Sequence, residues 1–101
     1  MPQFVKVALV SDLAPGKART VQAGTRRLAL FNVDGKFHAI DNTCAHRGGP
    51  LGEGLVNGQV VTCPWHGWSF DVTTGQCHTN PAARVPCFEV RVEGNEIQVN
   101  V

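Results

Sequence analysis

Long apolar runs are missing from this chain, and so is any excess of charge of one sign. No apolar stretch approaches the roughly eighteen residues that a membrane-spanning helix needs, so we do not expect the chain to cross a membrane. Nine Lys and Arg stand against eight Asp and Glu, which gives a formal net charge of +1. This balance offers no electrostatic basis for binding nucleic acid or an anionic membrane surface.

Catalytic patterns and sorting signals are also missing. We find no nucleophile–base pair, no glycine-rich phosphate loop and no paired catalytic carboxylates, so we do not expect the protein to turn over a substrate alone. The first ten residues have no basic segment before an apolar stretch, and we read no signal peptide. We therefore expect a cytoplasmic protein whose four cysteines form no disulfides.

The chain is rich in short segments with the alternation and β-branched residues of strands. Its 101 residues predict one domain, residues 1–101. Asp34-Gly35 and Glu93-Gly94-Asn95 predict hairpins, and no segment has a convincing helical period. We predict an all-β fold, a small antiparallel sandwich or barrel. The predicted strands are Phe4–Val10, Arg19–Gln22, Arg27–Val33, Lys36–Asp41, Val60–Thr62, Ser69–Val72, Phe88–Val92 and Ile97–Val101.

Two Cys/His pairs stand where this strand pattern breaks. Cys44 and His46 form the first pair; Cys63 and His66 form the second, after sixteen intervening residues. Both pairs fall in glycine-rich or proline-containing segments, about 42–54 and 62–69, which we expect to be loops at one end of the sheet structure.

Two metal centres could use two thiolates and two imidazoles. A structural zinc ion would take all four ligands in a tetrahedron. A 2Fe–2S cluster of mixed ligation would take the thiolates on one iron and the imidazoles on the other. The residues alone leave both alternatives open.

The residues around the pairs resemble the Rieske iron–sulfur family. Cys44-Ala45-His46-Arg47-Gly48-Gly49-Pro50-Leu51 is similar to its first cluster loop, and Cys63-Pro64-Trp65-His66-Gly67-Trp68-Ser69-Phe70-Asp71 to its second. Asn80-Pro81-Ala82 resembles the proline segment that packs over the cluster in that family. The resemblance extends over nearly the whole chain.

The resemblance implies a cofactor, ligands and partners. It implies one Rieske-type 2Fe–2S cluster with Cys44 and Cys63 on the buried iron and His46 and His66 on the outer iron, at the surface. It also implies a Rieske-like fold with a two-loop cluster-binding subdomain at one end. The implied function is a soluble one-electron carrier between a flavin-dependent reductase and a terminal oxygenase. A carrier of 101 residues can work as a monomer, which is the state we expect. The alternative is a small Rieske-type subunit of an assimilatory nitrite reductase or another multicomponent oxidoreductase.

Departures from the high-potential members of the family predict a low reduction potential. Those proteins carry a disulfide between the two loops, whereas the corresponding positions here are Gly49 and Trp65. They also place a serine and a tyrosine near the cluster, where this chain has Trp68 and Phe70. Fewer hydroxyl donors to sulfur should disfavour the reduced state, so we expect a potential near the low end of the range, about −150 mV.

Several residues near the pairs have simpler interpretations. We expect His38 and His78 to lie outside the ligand set, and Cys77 and Cys87 to be small buried residues of strands. Leu51 and Pro81 are expected to cover the site. Trp65, Trp68 and Phe70 are expected to pack around the second loop and to shield it from water.

Overall fold

The strands form three small antiparallel sheets. The structure is a computed structural model that describes residues 3–45, 48–65 and 67–101. The strands are β1 (Phe4–Leu9), β2 (Ala18–Ala23), β3 (Arg26–Val33), β4 (Lys36–Asp41), β5 (Leu55–Asn57), β6 (Val60–Thr62), β7 (Ser69–Asp71), β8 (Cys87–Phe88), β9 (Val90–Glu93) and β10 (Glu96–Asn100). Two short 3-10 helices, Val10–Asp12 and Leu51–Glu53, are the helical elements of the described residues. The predicted all-β class is confirmed.

The sheets follow the hairpins that the turn residues predict. The strand orders are β1-β10-β9, β2-β3-β4-β8 and β5-β6-β7. Asp34 and Gly35, both with positive φ, close the β3–β4 hairpin, and Gly94 lies in the turn between β9 and β10. Residues 42–86, which include β5–β7, connect β4 to β8, and these two strands pair with each other. The third sheet therefore lies within one long connection of the second.

Strand β3 separates two apolar cores, because both of its faces are buried. Leu28 and Leu30 pack with Ile97 and Val99 under the β1-β10-β9 sheet. Ala29 and Phe31 point the other way and pack with residues of the third sheet and its loops. This uninterrupted apolar run is typical of a strand covered on both sides.

One predicted strand is wrong in detail. Phe88–Val92 was predicted as a single strand, but Phe88 belongs to β8 and pairs with β4, whereas Val90 begins β9 and pairs with β10. The chain changes sheets at Glu89. The alternation of apolar and polar residues continues where the chain passes from one sheet to the other, so the sequence pattern does not reveal the change. Strand β5 was also missed, because its Leu55 is exposed and its three residues give too little pattern.

Candidate metal centre

Asn42, the first residue of the first loop (residues 42–50), forms hydrogen bonds to the residues that follow the loop and to strand β2. The buried Asn42 side-chain oxygen accepts hydrogen bonds from the Gly52 amide (2.8 Å) and the Thr20 hydroxyl (3.1 Å). The Asn42 carbonyl accepts a third bond from the Leu51 amide at 2.8 Å. Gly52 fits so closely that a Cβ there would collide with Thr20. These bonds fix where the loop leaves β4 and where it returns.

Within this loop, Cys44 is held in a tight turn. Its amide donates to the Gly49 carbonyl at 2.9 Å, and its carbonyl accepts from the Gly48 amide at 2.9 Å. Gly48 has a φ of +75°, a conformation that glycine adopts without strain. The Cys44 side chain is directed into the protein, and the residue is only 3% exposed.

The second loop, residues 63–68, connects β6 to β7. Thr62 and Ser69 form the last residue pair of the hairpin. The Cys63 amide then donates to the Trp68 carbonyl at 2.7 Å, and the Gly67 amide donates to the Cys63 carbonyl at 3.2 Å. Cys63 is also only 3% exposed, so each loop supplies one buried thiol.

The two loops meet at Gly49. A Cβ built on Gly49 would lie 2.6 Å from the Cys63 Sγ and 3.0 Å from the Trp65 Cγ, so only glycine fits without a shift. Cys44 and Cys63 belong to the same buried cluster, which also contains Leu51 and Phe70. The structure therefore brings the loops of the two predicted cysteine ligands together.

A third loop, residues 77–83, lies beside the second one. The Ser69 amide donates to the Thr79 hydroxyl at 2.9 Å, and the His78 amide donates to the Ser69 carbonyl at 2.8 Å. The buried Cys77 Sγ accepts from the Asn80 amide at 3.3 Å. The Gln76 amide group donates to the carbonyls of Pro81 (2.9 Å) and Ala83 (3.3 Å) and holds the loop closed.

The imidazole half of the predicted ligand set cannot be placed. His46 and His66, together with Arg47, lie outside the described residues. Among the residues that the structure describes, no three His, Cys, Asp or Glu side chains are grouped to hold a metal. The two buried thiols on adjoining loops fit the thiolate half of a mixed-ligand cluster, because soft sulfur donors sheltered from water suit iron–sulfur ligation. The four-residue ligand set remains a prediction.

The aromatic residues near the site differ in burial. Phe70 is fully buried, and Trp68 is partly buried against the same core, so both can exclude water from it. Trp65 is 56% exposed and covers less than predicted. Leu51 is fully buried, as expected of a covering residue, whereas Pro81 is exposed.

The cysteines and histidines outside the predicted ligand set also differ in burial. Cys77 is buried as predicted, but Cys87 is exposed, because β8 is a short edge strand of its sheet. His78 is exposed. His38 lies in β4, and its partial burial lowers its pKa, although Asp71 opposes this effect and Lys36 adds to it.

Sequence reasoning missed Asn42 and Gln76, which hold the first and third loops. Both are polar residues beside strands, a pattern that many surface residues share. A side-chain amide that bonds several backbone groups can be recognised only once the fold brings those groups together.

Comparisons with known proteins agree with the family resemblance and the fold. A family model of the Rieske 2Fe-2S domain matches residues 3–89. Ferredoxin CarAc from Metapseudomonas resinovorans is 39% identical over 99 residues, which cover 95% of this chain and 92% of that protein.

Solved structures share the architecture over almost the full chain. One is described as a complex of reduced oxygenase and oxidized ferredoxin in carbazole 1,9a-dioxygenase; the matching chain is 37% identical, with a TM-score of 0.88 and coverage of 96% of this chain and 92% of that one. Another is a putative NADH-dependent nitrite reductase small subunit from Mycobacterium tuberculosis, 27% identical, with a TM-score of 0.91 and coverage of 100% and 96%. No described helix is long and apolar enough to cross a membrane.

Proposed function

Since the chain belongs to the Rieske 2Fe-2S domain family, we propose that it is a one-electron carrier between a flavin-dependent reductase and a terminal oxygenase. The family's cofactor is one Rieske-type 2Fe–2S cluster, which gains and loses a single electron when bound. The observation that carries the proposal is the burial of Cys44 and Cys63, from two different loops, in one core cluster. The likeness to ferredoxin CarAc and to the structure of a ferredoxin with an oxygenase supports the choice of partners.

The proposed ligands are Cys44, His46, Cys63 and His66. The two cysteines would hold the buried iron, because both lie in the apolar core with Leu51 and Phe70. The loop backbones fix the positions of both cysteines through hydrogen bonds of their own amides and carbonyls. We further propose that residues 1–101 form one domain, with segments 42–54 and 62–69 as its cluster-binding loops, and that the carrier works in the cytoplasm as a monomer.

The purified protein tests the cofactor directly. A Rieske-type cluster gives absorption between about 400 and 600 nm and a paramagnetic signal after reduction. Replacing His46 or His66 with Ala should abolish the cluster or change its spectrum, whereas the matched variant His78→Ala should retain it. A colourless protein with one zinc ion would instead establish the structural zinc site.

A second function has one specific observation in its favour. The putative nitrite reductase small subunit covers the whole chain with a TM-score of 0.91, so this protein could be a fixed subunit of such an assembly. Purification from its own cells separates the two proposals. A free protein that restores electron flow at substoichiometric amounts supports the carrier, and a stable complex with a large subunit supports the alternative.

A further inference from the structure

Asn42 is one of two polar residues that the described part of the chain buries; the other is Asn32. Asn42 is 5% exposed, although asparagine usually lies at a protein surface. Burial of an amide group costs free energy unless its polar atoms find hydrogen-bond partners. The partners of this amide therefore indicate what it contributes to the molecule.

These partners join three separate segments of the chain. The Asn42 Oδ1 accepts from the Thr20 hydroxyl of β2 at 3.1 Å and from the Gly52 amide at 2.8 Å. The Asn42 amide donates to the Arg27 carbonyl of β3 at 3.1 Å, and its carbonyl accepts from the Leu51 amide at 2.8 Å. One residue thus ties the start and the end of the first loop to the second sheet.

Paired backbone connects Asn42 to the buried thiol of Cys44. Thr43 and Pro50 form an antiparallel bridge, and the Cys44 amide donates to the Gly49 carbonyl at 2.9 Å. The two arms of the loop are therefore paired from Asn42 as far as Cys44. Gly49 is also the point of contact with the second loop. Because paired arms move together, a shift at Asn42 is passed on to Cys44.

Thr20 holds Asn42 against the second sheet. A Cβ built on Gly52 would collide with the Thr20 hydroxyl and lie 2.7 Å from the Thr20 amide nitrogen, so the end of the first loop lies directly on β2. Thr20 itself lies outside both predicted metal-binding segments. A change at its hydroxyl therefore reaches the metal centre through Asn42 and Gly52.

We propose that Asn42 is a positioning residue of the metal centre, and that its bonds to Thr20, Leu51 and Gly52, here called the Asn42 anchor, slow the loss of iron and keep water from the Cys44 thiolate. This inference rests on the proposed function, because it takes Cys44 to be a ligand. Every atom of the anchor belongs to a described residue. Unlike a contact that only stabilises the fold, the anchor should change properties of the bound cluster.

Substitution of Asn42 by leucine tests the anchor, and the same change at Asn32 is its matched control. Asn32 is 4% exposed, and its Oδ1 also accepts from a glycine amide, that of Gly35 at 2.7 Å. It pairs with Phe37 at the other end of β3 and β4. Both variants remove the acceptor of a glycine amide, so both should destabilise the fold. Only Asn42→Leu should alter the cluster.

The rate of iron loss is measured as the decay of visible absorption when the holoprotein is incubated with an excess of an iron chelator. We expect Asn42→Leu to lose iron about tenfold faster than the unsubstituted protein, or more, because its first loop opens more often. Asn32→Leu should stay within about threefold of the unsubstituted protein. Equal acceleration in the two variants would show a general effect of fold stability and overturn the proposal.

A pair of substitutions at Thr20 tests the hydrogen bond and leaves Asn42 in place. Thr20→Val keeps the shape of the side chain and removes the hydroxyl, whereas Thr20→Ser keeps the hydroxyl and removes a methyl group. We expect Thr20→Val to speed iron loss about threefold or more, and Thr20→Ser to remain within about twofold of the unsubstituted protein. Faster loss in Thr20→Ser than in Thr20→Val would assign the role to packing and contradict the proposal. This pair also decides the matter if Asn42→Leu does not fold.

The reduction potential is a readout that fold stability alone does not move. Without the anchor, water should reach the thiolates more easily, and water favours the reduced, more negative state. The potential of Asn42→Leu and, to a smaller extent, that of Thr20→Val should therefore rise above the potential of the unsubstituted protein. The potentials of Thr20→Ser and Asn32→Leu should not change. Equal potentials in all four variants would overturn the proposal.

Failure of the anchor can be told from failure of the proposed function. An unsubstituted protein without the optical and paramagnetic signals of the cluster contradicts the function itself. In that protein, amide hydrogen exchange at Leu51 and Gly52 still measures the anchor, because these amides donate to Asn42. Exchange at these amides that is no faster in Asn42→Leu than in Asn32→Leu would overturn the anchor as well.

Discussion

At the scale of single residues, Gly49 has the strictest requirement at the candidate centre. Its neighbours are a ligand candidate and an exposed aromatic residue, and both lie closer to the position of an added Cβ than an ordinary contact allows. Its φ is not positive, so the requirement comes from space and not from backbone conformation.

Replacing Gly49 with Ala should therefore disturb the metal centre. We expect the Cys63 thiol to be displaced and the iron and sulfide content to fall by half or more, with a loss of about 1–3 kcal/mol in the free energy of unfolding from overpacking. The measurement is iron and sulfide analysis together with the optical spectrum.

Gly24→Ala is the matched control for this variant. Gly24 has a φ of +63° and open space around it, so the substitution strains the backbone without touching the centre. It should cost about 1 kcal/mol and leave cluster content unchanged. Equal cluster content in the two variants would show that the close approach at Gly49 has no consequence.

The pKa of His38 gives a second prediction at this scale. Partial burial holds this pKa below its usual 6.5, so the unfolded chain binds the proton more readily than the folded protein. The folded state should therefore lose stability as the pH falls below about 6.5, and gain none above it.

Far-UV circular dichroism of thermal unfolding between pH 5 and 8 measures this effect. His38→Asn should flatten the dependence of the unfolding midpoint on pH in this window, because asparagine does not titrate. An unchanged slope in the variant would assign the dependence to other groups.

At the scale of elements, the Gln76 side chain makes two of the hydrogen bonds that close the third loop. The Gln76 amide group donates to the carbonyls of Pro81 and Ala83, and the Cys77 thiol accepts from the Asn80 amide inside the same loop. This loop is bonded to Ser69, the first residue after the second loop. A change at Gln76 should therefore reach the centre through β7.

Gln76→Leu should loosen loop 77–83. Loss of the donors should reduce the free energy of unfolding by about 1–2 kcal/mol and speed amide hydrogen exchange within the loop. Gln76→Glu should lower stability at least as much, because a carboxylate would face the same carbonyl oxygens. Unchanged exchange at Ala83 in both variants would contradict this role.

The strands also show which features of the fold can be predicted from the sequence and which cannot. The strands with hairpin turns, such as β3 and β4, follow from alternation and from Asp34-Gly35, because the relevant interactions are local in the chain. The crossing at Glu89 and the exposure of Cys87 depend on which sheet each strand joins. Which sheet a strand joins depends on residues that are distant in sequence, so a local pattern does not predict it.

At the candidate site, too, some features could be predicted from the sequence and others could not. The spacing of Cys44 and Cys63 predicted two thiols on separate loops, and the structure buries both in one core. The contacts of Asn42 and Gly49 could not be predicted, because each joins two separate segments of the chain. Gln76 bonds to carbonyls only five and seven residues away, but in an irregular loop whose path no local pattern predicts.

At the scale of the whole molecule, the surroundings of the centre predict its reduction potential. Phe70 is fully buried in the same core as the two thiols and has no hydroxyl group, and Trp68 packs against that core. The high-potential family members have a serine and a tyrosine at these two positions. Without those hydroxyl donors, a reduced cluster would be less stabilised here than in those proteins. We expect a potential of about −150 mV.

Voltammetry of the holoprotein at neutral pH measures this potential. A value above about +100 mV would show that other donors stabilise the reduced state. The potential should also fall at alkaline pH if two imidazoles bind the outer iron, since the ferric ion favours loss of their remaining protons. A potential independent of pH from about 6 to 11 would argue against histidine ligation.

The pairing of β4 with β8 has an evolutionary consequence. Residues 42–86 leave the second sheet at Asp41 and rejoin it beside the same strand, where the Asp41 amide donates to the Pro86 carbonyl at 2.9 Å. Entry and exit therefore coincide, and an exchange of this segment between relatives would leave the remaining strand order intact. Such a fold can acquire a new electron-transfer specificity by replacing one contiguous stretch of gene.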